Sequence, residues 1–84
     1  MKITEYINQH QLQPVIHSDA IPVAIPSSLA NKFDLAEEVE YYSSPDGSRW
    51  VGVCRARNFF AAAKPGVAVT TGHLDEAYPT LRSF

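Results

Sequence analysis

Apolar and polar positions change period several times along this chain, and each change marks an element. Near the start, Ile3, Tyr6, Ile7 and His10 recur at spacings of three and four. That spacing puts them on one side of a helix, expected over 5–12. Thr4 is a fair cap and Glu5 an acid in the first turn, where the helix dipole favours negative charge. Pro14 stops this helix and pushes Gln13 toward an extended backbone. Pro14, Pro22 and Pro26 then exclude a long helix over 14–26. Within that stretch Ile21-Pro22-Val23-Ala24-Ile25 reads as an edge strand, where a proline is tolerated. Ser27 or Ser28 caps a short helix running through Phe33, with Leu29 and Phe33 four apart on one face.

The strongest local pattern follows. Val39-Glu40-Tyr41-Tyr42-Ser43 favours a strand, and Ser44-Pro45-Asp46-Gly47 is a turn with a mechanism. Proline presets its own φ, Asp bonds back to the chain, and Gly takes the left-handed region. Residues 48–57 return as the second strand, completing a hairpin over 39–57. A helical reading of 35–42 competes, because Asp34 and Glu37 have capping-box spacing and Leu35 and Val39 lie four apart. The strand is preferred from Val39 on, since the tyrosine pair and the turn behind it agree. Asn58 to Ala63 is open between strand and helix: three alanines favour one, Phe59-Phe60 the other. Lys64-Pro65-Gly66 is a second turn, and β-branched residues predict a strand over 67–71. Gly72 breaks it. A helix begins at Leu74, with Asp75 and Glu76 in its first turn, and Pro79 cuts it short.

The expected fold is therefore α+β. It has a small antiparallel sheet of three to four strands (hairpin 39–57 plus 67–71), an N-terminal helix and a short C-terminal helix. The 84 residues make one domain, 1–84. A chain of this length buries only about 60–65% of the surface it exposes when unfolded, so the margin of stability is thin. An apolar fraction of 45% argues for a folded chain.

Charge narrows the function classes. A net charge of −2, from 9 acidic and 7 basic residues, gives no strong field for nucleic acid or an anionic membrane. With a single cysteine, Cys54, no disulfide forms within one chain, which suits a reducing compartment. Residues 1–6 lack an apolar run of the secretory type, and no stretch is long enough to cross a bilayer, so a cytoplasmic location is expected.

Candidate chemistry is sparse. His17-Ser18-Asp19 and His73-Leu74-Asp75 each offer two metal ligands at strand spacing, but a transition-metal site needs three or four that converge. The plainer reading is two loop histidines beside capping acids, so no metal or cofactor is expected. Cys54 lies among Gly52, Val53 and Ala56 without a nucleophile signature around it, as a small buried hydrophobe would. Four single glycines form no phosphate loop. In the second hairpin strand the odd positions carry Arg49, Val51, Val53, Arg55 and Arg57, and the even ones Trp50, Gly52, Cys54 and Ala56. Strand geometry sends these sets to opposite faces. The small-residue face could accept a closely packed helix, with Trp50 lapping over its edge. The base rate for apolar strands favours both faces being covered. The sharper reading is an exposed patch of Trp50, Tyr42 and Arg49, residue types enriched at binding hot spots. Phe59-Phe60 near Arg55 and Arg57 fits a base-stacking surface loosely.

Two stretches carry resemblances. Ile25-Pro26-Ser27-Ser28-Leu29, followed by Phe33, Leu35, Val39 and Tyr41, resembles the half-motif of swapped-hairpin transcription regulators and antitoxins over about a quarter of the chain. It departs in the short spacing from Leu35 to Val39 and in lacking basic residues at Ser18-Asp19-Ala20. Pro65-Gly66-Val67 through Gly72-His73-Leu74-Asp75-Glu76-Ala77 is similar to the strand-to-helix joint of small antitoxins with a partial RNase-like fold. Both imply a small regulatory or partner-binding protein; neither motif assigns a family.

The expectation is thus a non-catalytic protein that binds another protein through the hairpin surface, as inhibitors, antitoxins and adaptors do. Its binding residues would be Trp50, Tyr42, Arg49, Arg55 and Arg57. The alternatives are a dimeric nucleic-acid-binding regulator, and a metal protein or enzyme built on His17, Asp19 and His73. Unpaired strand edges make a homodimer the expected state.

Overall fold

The computed structural model describes residues 3–15, 25–34, 38–76, 81 and 84. Helix α1 (Ile3–Gln9) leads to strand β1 (Gln13–Val15), then α2 (Ser27–Ala30), β2 (Glu40–Ser43), β3 (Trp50–Cys54), β4 (Phe59–Lys64) and β5 (Val67–His73). Single 3₁₀ turns occupy Arg55–Arg57 and Leu74–Glu76. The strands form one five-stranded sheet in the order β1-β2-β3-β4-β5, and every neighbouring pair is antiparallel. The α+β expectation holds in that coarse sense, with five strands where three to four were expected.

The extra strands have local causes. Gln11 takes a φ of 56°, and the Leu12 N–H bonds the Ile7 carbonyl at 2.8 Å, which reverses the chain after α1. The helix ends at Gln9, short of the expected 12, so the reversal at Gln11 and not Pro14 stops it; Pro14 lies instead in a strand at the sheet edge, where its missing N–H costs nothing. Helix α1 spans 3–9, so Thr4 lies within its first turn and is not its cap. The open stretch 58–63 is strand from Phe59 on: β4 pairs with β3 on one side and β5 on the other, and this pairing overrides alanine's helix preference. The hairpin turns where expected but its strands are shorter, 40–43 and 50–54. Its return strand stops because residues 55–57 wind into a 3₁₀ turn and Asn58 follows with φ 53°. Arg55 and Arg57 therefore leave the strand alternation expected for them. Strand β5 runs past Gly72 to His73, and a 3₁₀ turn stands where the C-terminal helix was expected to start. Residues 40–42 are strand, so the competing 35–42 helix does not form there; only its 35–37 lie outside the described residues. Residues 21–24 of the proposed edge strand and the end of the last helix also lie outside them, as do His17 and Asp19, and Ile25 is not in a strand.

Both sheet faces are covered. On the first, Ile3, Tyr6 and Leu12 pack over Val51, Val53, Phe60 and Ala62, joined by Leu81. On the second, Leu29 and Phe33 pack over Cys54, Ala61 and Ala63. The small-residue stripe of β3 does accept a helical segment closely: α2 begins directly after Pro26, without a serine cap bond, and contacts β3 and β4. Leu29 and Phe33 share its buried face, although the helix ends at Ala30. Phe33 also meets the Tyr41 and Phe59 rings edge-on, at 6.1 and 5.5 Å between centroids.

The closest approach is at Gly52. A β-carbon there would lie 2.8 Å from Phe33 Cε2 and 3.1 Å from Tyr41 Cε1. Gly52→Ala should therefore destabilise the protein by about 1–3 kcal/mol through overpacking, although alanine is ordinarily the better strand residue. Denaturant titration of the variant beside wild type measures this; an unchanged midpoint would show that the contact gives way freely.

Candidate functional site

The two hairpin turns lie at the same end of the sheet and frame a groove on its second face. In the β2–β3 turn the Gly47 N–H bonds the Ser44 carbonyl at 2.9 Å, and Gly47 takes φ 75°. The Asp46 carboxylate organises the loop, accepting from Ser44 Oγ at 2.6 Å, Ser48 Oγ at 2.7 Å and the Ser48 N–H at 3.0 Å. Ser44 Oγ in turn accepts from the Arg49 N–H at 3.0 Å. Between β4 and β5, Pro65 followed by Gly66 at φ 75° has the residue types and the positive φ that a type II turn uses. That turn has the wrong twist for a two-residue hairpin, and the β4–β5 register slips between Ala62 and Lys64 beside it.

Trp50 starts β3 directly behind the first turn, paired with Ala63. Its indole N–H donates to the Gly47 carbonyl at 3.0 Å, which fixes the ring against the turn. The ring is half-buried against the second core layer. A groove of about 240 Å³ opens over it, lined by Pro26, Trp50, Pro65, Val67 and Val69, with Lys64 at its wall. Val67, 46% exposed, is the large hydrophobic residue most open to solvent among those described. Of the groove residues, Trp50 alone is among the binding residues expected from sequence; Pro26, Pro65, Val67 and Val69 are not. Their signal was the β5 alternation: Val67 and Val69 share a face, and neither has a charged neighbour within the strand.

The structure does not bring Trp50 together with Tyr42 and Arg49 as one patch. Tyr42 pairs with Val51 and packs against the first core layer, opposite Trp50. Arg49 Nη1 donates to the Tyr6 hydroxyl at 3.0 Å, and so reaches toward α1 on that same first face. The His10 ring meets Tyr6 at a 56° tilt, 4.5 Å between centroids; burial lowers its pKa, and Arg49 and Lys64 add to that. Tyr42 donates to Glu40 at 2.8 Å, and Arg55 Nε donates to the other oxygen of Glu40 at 3.0 Å. These bonds, Arg55's first, hold the Glu40 carboxyl below its usual range, and the Glu40 bond pushes the Tyr42 hydroxyl upward. Arg57 lies over the Phe59 ring at 4.7 Å and reaches the Lys32 carbonyl. Phe60 is fully buried, so it offers no ring for base stacking. Tyr42, Arg49, Arg55 and Arg57 thus serve contacts within the chain, away from the groove.

Asp46 yields a pH prediction. Bonds from Ser44 first, then Ser48, lower its pKa from the usual 3.8 to about 2. A carboxyl depressed on folding contributes stability above its unfolded pKa and loses it as pH falls through the folded value. Melting temperature should therefore fall between about pH 4 and pH 2 more steeply in wild type than in Asp46→Asn. Parallel pH profiles would show that the loop does not depend on this charge.

His73 is exposed on β5, and Asp75 accepts from Asn58 Nδ2 at 3.2 Å. Among the described residues no group of three or more His, Cys, Asp or Glu side chains could hold a metal ion. Cys54 is buried and in no disulfide. No helix among the described residues is long and apolar enough to cross a membrane. No protein-family model matches this chain, and neither does any curated protein or solved structure.

Proposed function

We propose that this chain is a non-catalytic protein that binds another protein, as small inhibitors, antitoxins and adaptors do, and that it binds at the Trp50 groove. The observation that carries this reading is an indole anchored by its N–H to the turn, half-open to solvent, between two prolines and the exposed Val67. Trp is a preferred anchor at protein interfaces because a large rigid ring loses little entropy on contact. At about 240 Å³ the groove is smaller than the roughly 300–1,000 Å³ of small-molecule sites. It suits one or two apolar side chains presented by a protein segment. The reading moves the contact surface from the whole hairpin to one end of it. Buried Cys54 without a disulfide supports a reducing, cytoplasmic setting. Nucleic-acid binding has less support, since Arg55 is tied to Glu40 and Arg57 to Phe59.

The test uses the full chain as bait in lysate of its own cells, beside Val67→Arg. That substitution puts a charge at the groove rim while leaving the core untouched. A protein retained by wild type and lost from the variant is expected; equal retention by both would overturn the groove as the binding site.

A further inference from the structure

The two sheet edges differ in a way that matters for self-association. Strand β1 closes one side with three residues, one of them Pro14. Strand β5 closes the other with seven, Val67-Ala68-Val69-Thr70-Thr71-Gly72-His73. It contains no Asp, Glu, Lys, Arg or Pro, the residues that keep monomeric edges from pairing. Among the described residues no strand pairs with its outer side.

The ladder shows which groups point outward. The Ser44 N–H bonds the Arg49 carbonyl, and antiparallel pairs alternate between bonded and non-bonded from there. Carried through the register of β3 and β4, the alternation makes Phe60–Gly72 and Ala62–Thr70 the bonded pairs of the β4–β5 ladder. The Leu74 N–H bond to the Asn58 carbonyl, at 3.0 Å, agrees with this phase. Thr71 and His73 therefore turn their N–H and C=O groups away from the sheet. The register slip lies at the Lys64 end and leaves residues 70–73 regular.

We propose that two copies of this chain join along β5 as antiparallel neighbours, about a twofold axis at Thr71. Thr71 then bonds Thr71 of the other copy, Val69 lies across from His73, and Thr70 across from Gly72. A strand without charge meets its own copy without repulsion. The axis runs perpendicular to the sheet, so both Trp50 grooves open on the same side of a ten-stranded sheet. This dimer goes beyond the partner-binding reading and does not depend on it.

Sedimentation equilibrium of the full chain, from micromolar to hundred-micromolar concentration, tests the proposal. Twice the 9.3 kDa chain mass is expected. Thr71→Pro removes an outward N–H that no bond within the sheet uses. It should raise the dimer dissociation constant on the order of tenfold or more, with the far-ultraviolet spectrum unchanged. Thr71→Lys sets like charges across the axis and should weaken the dimer similarly, with recovery at high salt. Should Thr71→Pro fail to fold, the salt response of Thr71→Lys decides. A monomeric wild type, or a dimer unmoved by the Thr71 variants that fold, would overturn the proposal. Neither result bears on partner capture at the groove, which Trp50→Ala reads separately, since Trp50 lies on β3 and not on the β5 edge.

Discussion

Replacing Phe60 by alanine should cost about 3–5 kcal/mol of folding stability, the largest loss expected of any single truncation in this chain. Phe60 is fully buried, sits in the central layer between Val53 and Gly72, and belongs to the core that α1 covers. Its strand neighbours Ala61, Ala62 and Ala63 are small, and β4 is held by pairing on both sides, so the site has little means of collapsing around the void. Typical stability of roughly 0.05–0.15 kcal/mol per residue gives this chain about 4–13 kcal/mol in all. The variant should be poorly folded or near its midpoint in dilute denaturant. Urea titration measures it; a loss below about 1 kcal/mol would mean that Phe60 is not a core residue.

Trp50→Ala should weaken partner binding by about thirty- to several-hundredfold, the range of an interface anchor losing about 2–4 kcal/mol. Its cost in stability should be well below that of Phe60→Ala, because the ring is half-buried and its N–H bond is to an exposed turn. The ratio of the two effects separates an anchor from a core residue. A large loss of stability with no separate loss of affinity would place Trp50 in the core. Calorimetric titration of the captured partner against both chains, with their unfolding curves, gives both quantities.

Much of the fold was legible because local chemistry and tertiary context agreed. Ser44-Pro45-Asp46-Gly47 turns as its residue types require, and Gly52 with Cys54 made a shallow stripe that α2 fills. Strand β4 was undecidable from Phe59 to Ala63, because alanine's preference and the aromatic pair point opposite ways and only pairing with two strands decides. Strand β1 was missed because Pro14 reads first as a helix stop, and its partner, β2, lies far along the chain. The site was legible only in part. Period-two alternation already separates Trp50 from Arg49, and Tyr42 takes the Arg49 face through its register with Val51, which composition alone does not show. Arg55 and Arg57 looked available because their tethers, Glu40 and the Phe59 ring, depend on a 3₁₀ turn no local pattern announced.

Trp50 is the only tryptophan in the chain, so its emission reports on the groove alone. Once a retained partner is purified, a form of it without tryptophan should shift that emission to shorter wavelength, saturably, as the indole leaves water. Binding that leaves both the wavelength and the intensity of Trp50 emission unchanged would contradict the groove as the place of contact.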